Sequence, residues 1–128
     1  MIEDELQEAL VGAEANPQGA APGATLEFRY PPSFVGFRGH FPDDPILPGV
    51  CLLQSLRLGL EKAWGTPLKL AGVPNAKFVA PVRPGDTLKF AVTETARSAD
   101  VVSAKAKVTR DGERVAEISI QLETLPAA

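Results

Sequence analysis

Val50-Cys51-Leu52-Leu53-Gln54-Ser55-Leu56-Arg57-Leu58-Gly59-Leu60-Glu61-Lys62-Ala63-Trp64 is the only long stretch of this chain with a helical period. Leu52, Leu53, Leu56, Leu60 and Ala63 gather on one face at 3.6 residues per turn. Gln54 projects roughly opposite that stripe, near Cys51, Leu58 and Glu61. Around this segment the apolar residues alternate instead. Leu26, Phe28 and Tyr30 alternate with Glu27 and Arg29, and Leu88, Phe90 and Val92 with Lys89 and Thr93. Val102, Ala104, Ala106 and Val108 do the same, as do Ala116, Ile118, Ile120 and Leu122, which is the half-buried strand pattern. Asp111-Gly112 reads as the hairpin turn between the last two, because glycine accepts the positive φ such turns need. One helix among antiparallel strands, most of them after it, predicts an α+β fold with a sheet wrapped around one central helix.

Composition narrows the classes. A chain of 128 residues is a single-domain length, and 45% hydrophobic residues suffice for a core. The formal net charge of -3, with no cluster of Lys and Arg along one face, argues against nucleic acid as a partner. No apolar run approaches the ~20 residues of a membrane helix, and the acidic start Met1-Ile2-Glu3-Asp4-Glu5 lacks the basic region of a signal peptide. A cytoplasmic location is expected. One cysteine allows no internal disulfide. Residues 1–24 read as a short helix, Glu3 to Val11 with Leu6 and Leu10 on one face, followed by a flexible Ala/Gly/Pro linker from Gly12 to Ala24; a single domain follows over 25–128.

The chemistry concentrates just before the helix. Gly39-His40-Phe41-Pro42-Asp43-Asp44-Pro45-Ile46-Leu47-Pro48-Gly49-Val50 places the only histidine in a loop whose prolines restrict its shape. Histidine exchanges protons near neutral pH, and the helix start that follows offers backbone N–H groups reinforced by the helix dipole. Such a pair can hold a carbonyl and move a proton beside it.

The run Phe37-Arg38-Gly39-His40-Phe41-Pro42, then Pro45 and Pro48-Gly49-Val50, resembles the signature of the FabA/FabZ family of 3-hydroxyacyl-[acyl-carrier-protein] dehydratases. Ala76-Lys77-Phe78-Val79-Ala80-Pro81-Val82-Arg83-Pro84-Gly85-Asp86 resembles that family's second block, a strand and turn, in the same order and at about the same separation. The resemblance implies a hot-dog fold over roughly residues 25–123. It implies dehydration of a (3R)-hydroxyacyl thioester of acyl carrier protein or CoA, in fatty-acid or related acyl-chain synthesis, without cofactor or metal. It further implies a homodimer or higher homo-oligomer whose sites lie between subunits. The stretch before the first strand does not match the family's Pro-His-Arg run.

Dehydration needs a base for the proton beside the carbonyl, an acid for the departing hydroxyl, and donors for charge on the thioester oxygen. His40 suits the base, and the Gly49 and Val50 N–H groups suit the donor role. Phe41 and Leu58 are expected substrate contacts. In the family the acid is a Glu or Asp on the helix; here that position is Gln54, which hydrogen-bonds but exchanges no proton. Losing one such partner typically forfeits ~10²–10⁴-fold in rate. A carboxyl restored at 54 is expected to return that acid.

Two other readings follow from the same residues: a non-catalytic acyl-thioester-binding subunit, and a hot-dog thioesterase, whose usual helix carboxylate Gln54 also lacks. Asp43 and Asp44 read as solvated loop residues. Glu61 lies ~10 Å beyond Gln54 along the axis, too far to share its proton. Cys51 reads as packing, Asp86 as a turn-former and Arg83 as solvated.

Overall fold

The computed structural model describes residues 2–16, 22–34, 37 and 46–125. Among them the elements run α1 (Ile2–Ala9), β1 (Leu10–Asn16), β2 (Gly23–Arg29), α2 (Gly49–Trp64), β3 (Leu68–Phe78), β4 (Thr87–Arg97), β5 (Val101–Arg110) and β6 (Glu113–Thr124). The six strands form one antiparallel sheet in the order β1-β2-β4-β5-β6-β3, against which α2 packs. This is the α+β, sheet-around-helix arrangement expected of a hot-dog fold.

The alternating strands behave as their patterns require. Leu26, Phe28 and Tyr30 of the β2 run are buried, with Phe90 opposite Leu26, Leu88 opposite Phe28 and Val92 opposite Ala24 on β4. Val102 to Val108 and Ala116 to Leu122 bury the same face of β5 and β6. Asp111 and Gly112 turn the β5–β6 hairpin with φ of 52° and 83°, the two positive values a tight hairpin favours.

The N-terminal expectation is corrected. The helix stops at Ala9, and Leu10–Asn16 forms β1, antiparallel to β2, where the helix end and the start of a linker were expected. The register shifts between Leu10 and Gly12, so half-buried Leu10 and Ala13 are spaced by three and hide the period of two. Pairing with β2 satisfies this backbone whatever its Ala/Gly-rich composition prefers. Gly23 and Ala24 already belong to β2; residues 17–21 of the expected linker lie outside the described residues.

The helix is locked to the sheet by packing and by one buried polar relay. Gly59 faces Leu26: a methyl group on Gly59 would lie 2.5 Å from Leu26 Cδ1. Ser55 Oγ donates to Cys51 O at 2.7 Å, which uses its only proton, so the Tyr30 hydroxyl donates to Ser55 Oγ at 2.7 Å. Gly65 closes α2 in the left-handed conformation, its N–H on Glu61 O at 2.9 Å.

Tyr30 is the only tyrosine, and burial pushes its hydroxyl far above its ordinary value of 10.0. A folded-state pKa raised above the unfolded one gives stability that is complete below pH 10 and lost as pH rises beyond it. Tyr30→Phe should cost about 1 kcal/mol at neutral pH. Chemical denaturation should show the wild type losing stability above about pH 10 more steeply than the variant. Parallel curves would disprove the burial-raised titration of Tyr30.

Candidate active site

The described end of the first sequence block, residues 46–50, meets the second block at the N-terminus of α2. Leu47 N–H donates to Val82 O at 2.8 Å, drawing the segment before the helix alongside the one after β3. Between them lies a cavity of about 350 Å³, with Leu47, Gly49 and Leu52 on one side and Phe78, Val79 and Val82 on the other. The N–H groups of Gly49 and Val50 open the helix and have no intrahelical acceptor. The tip of the Phe78 ring lies close over this point: a methyl group on Gly49 would sit 2.9 Å from Phe78 Cζ, so the ring would have to shift to admit one.

The second wall is held by a turn. Asp86 N–H donates to Arg83 O at 3.1 Å across Pro84-Gly85, with Gly85 at φ 88°. Proline then positive-φ glycine is a type II turn. The Asp86 carboxylate accepts Arg83 N–H and Arg110 Nη1, each at 2.8 Å, and Arg110 Nη1 also reaches Pro81 O at 2.7 Å. Asp86 is thus the turn-former expected, and Arg83 is exposed. Gly85 N–H donates to Tyr30 O at 2.7 Å, tying the turn to the end of β2. From there an aromatic series runs from Tyr30 to Phe34 at 5.5 Å and from Phe34 to Phe37 at 6.0 Å between centroids.

The expected site residues divide into groups. His40, Phe41, Asp43 and Asp44 lie outside the described residues. Gly49 lines the cavity, while Val50 beside it is 59% exposed and points away from that lining. Leu58, expected to touch substrate, is a buried core residue because α1 covers that side of α2. Cys51 is also buried within its own chain, so neither residue offers apolar surface for a second copy to cover. That exposed surface is instead Val50, Phe78 and Val79.

Gln54 is half-buried on the outer face of α2 and does not line the cavity of its own chain. Its Oε1 accepts Arg57 Nε at 2.9 Å; Arg57 Nη1 pairs with Glu61 Oε1 at 2.8 Å, and Glu61 Oε2 accepts Leu68 N–H at 2.8 Å. Sequence reasoning passed over Arg57, although its spacing of three from Gln54 and four from Glu61 puts all three on one helix face. The consequence for a carboxyl at 54 is direct: it would meet a guanidinium, which favours the ionised form.

The model of the ApeI-like family, described as ApeI dehydratase, matches residues 16–117. The chain belongs to the ApeI-like dehydratase family. It is also 38% identical over 96 residues to the 3-hydroxyacyl-[acyl-carrier-protein] dehydratase FabZ of Latilactobacillus sakei, covering 68% of this chain and 69% of that one. Across such FabZ relatives it spans about two thirds of their length. Among solved structures, a chain of the dehydratase heterocomplex ApeI:P from Xenorhabdus doucetiae superposes with a TM-score of 0.72 at 23% identity, over 89% of this chain and 96% of that one. A putative thioesterase from Lactococcus lactis reaches 0.75 at 11% identity, over 95% and 96%. The hot-dog fold is therefore common to both chemistries, and it is the sequence likeness that separates the ApeI-like and FabZ dehydratases from the rest.

Burial pushes the Cys51 thiol up from its ordinary value, so no thiolate forms at the helix start despite the dipole. Native protein near neutral pH should react with iodoacetamide far more slowly than urea-unfolded protein. Equal alkylation rates by mass spectrometry would show an accessible thiolate.

Proposed function

We propose that this protein dehydrates (3R)-hydroxyacyl thioesters of acyl carrier protein or CoA, with each site completed by a second copy of the chain. The observation that carries this reading is the meeting of both dehydratase-like blocks around one apolar cavity at the start of α2. Exposed Val50, Phe78 and Val79 beside that cavity, and the open edge of β3, are the surface a second copy would cover. In that arrangement His40 would meet Gln54 of the partner subunit.

The chemistry follows from the groups available. The acyl chain enters the apolar cavity, and the thioester oxygen accepts the Gly49 and Val50 N–H groups. His40 removes the proton from C2. Because Gln54 has none to give, the same imidazole delivers that proton to the C3 hydroxyl. The C3–O bond breaks, water leaves and the C2=C3 double bond forms. The tie between Gln54 and Arg57 favours one further reading, a subunit that binds acyl thioesters without turning them over.

Purified protein should interconvert 3-hydroxybutyryl and crotonyl thioesters of CoA or acyl carrier protein, and His40→Ala should abolish this. Sedimentation at micromolar concentration should give a dimer or larger species. Background rates for both proteins, with crotonyl-thioester affinity altered only by the substitution, would support the binding subunit instead.

A further inference from the structure

We propose that Arg57 is a positioning residue: it fixes Gln54 with its amide nitrogen outward, making position 54 a directed hydrogen-bond donor to an oxygen of the acyl substrate. This rests on the dehydratase reading above and assigns a role to a side chain outside the family-like blocks. The guanidinium carries donors only, so the Gln54 atom 2.9 Å from Arg57 Nε must be the oxygen. The amide flip is thus decided by chemistry. What remains for a ligand is the NH₂ group.

The arrangement is held from behind. Arg57 and Glu61 side chains are only 14% and 22% exposed, and Glu61 is anchored on the first residue of β3 through Leu68 N–H. Gln54, Arg57 and Glu61 follow each other at three and four residues along one face, so a shift of Arg57 passes directly to Gln54. The amide can hold the 3-hydroxyl oxygen in line for departure, while the proton comes from elsewhere. Conversely, a glutamate at 54 would form an ion pair with Arg57 and stay ionised. Restoring the family's carboxyl therefore requires removing Arg57 as well.

The test compares wild type with Arg57→Met, Arg57→Lys, Gln54→Glu and the Gln54→Glu/Arg57→Met double variant, all checked for folding by thermal denaturation. Turnover of 3-hydroxybutyryl thioester is followed across pH. Arg57→Met should lower kcat roughly tenfold with little change in KM, since misplacing a group by ~1 Å can cost up to 10²-fold. Arg57→Lys should recover part of it. Gln54→Glu alone should not exceed wild type. The double variant should exceed Gln54→Glu and gain a limb that falls with rising pH, because its carboxyl must be protonated to act. An unchanged kcat in Arg57→Met, or a clear gain in Gln54→Glu alone, overturns the assignment.

A second measurement does not depend on turnover. The Gln54 side-chain NH₂ resonances, identified by their loss in Gln54→Glu, should be rigid in wild type and mobile in Arg57→Met. Crotonyl-CoA should shift them only in wild type. Identical resonances in both proteins would refute the positioning role. Inactivity of wild type and His40→Ala alike, with these shifts intact, would instead overturn only the catalytic reading.

Discussion

The close approach of α2 to β2 at Gly59 and Leu26 is the constraint on which the other contacts depend. Glycine inside a helix costs about 1 kcal/mol against alanine, yet here any side chain would collide with a leucine that is itself fully buried. The missing Cβ lets the helix settle onto the sheet. At that distance Leu56 and Leu60 are buried, Ser55 reaches the Tyr30 hydroxyl, and Trp64 Nε1 donates to Gly23 O at 3.3 Å at the far end. The depth and tilt so fixed also set where Gly49 emerges, under the Phe78 ring and at the mouth of the cavity.

The site divides its labour between two kinds of surface. Its described walls carry aliphatic and aromatic side chains, with backbone N–H groups at the helix start beside them. Among the described residues no charged side chain lines the cavity, and those nearby serve the structure. Asp86 and Arg110 stiffen the second wall, and Arg57 and Glu61 stiffen the outer face of α2.

Strands β2, β4, β5 and β6 were legible because each buries one face, so the period of two survives in the sequence. α2 was legible because its apolar stripe is long. β1 and β3 are the edges of the sheet, and both hide the pattern. Gly12 follows a register shift in β1, while Gly72 and Pro74 fall within two irregular stretches of β3. In the site, Gly49, expected as a backbone donor at the helix start, stands in the cavity lining. Leu58 misled because spacing shows which face a residue occupies but not that α1 covers that face. Arg57 escaped because a helix sequence gives several possible partners for each charge, and only packing selects one.

The strand order carries a kinetic consequence. Phe28 pairs with Leu88, about sixty positions later, whereas β4, β5 and β6 join neighbours through the short turns at Ser98–Val101 and Asp111–Gly112. Loop closure over such a span brings no reward until its far strand exists. The meander of β4 to β6 is therefore the part able to assemble locally. β2, although made early, keeps one backbone edge unpaired until β4 has left the ribosome, and during that interval the chain is most open to association with others like itself.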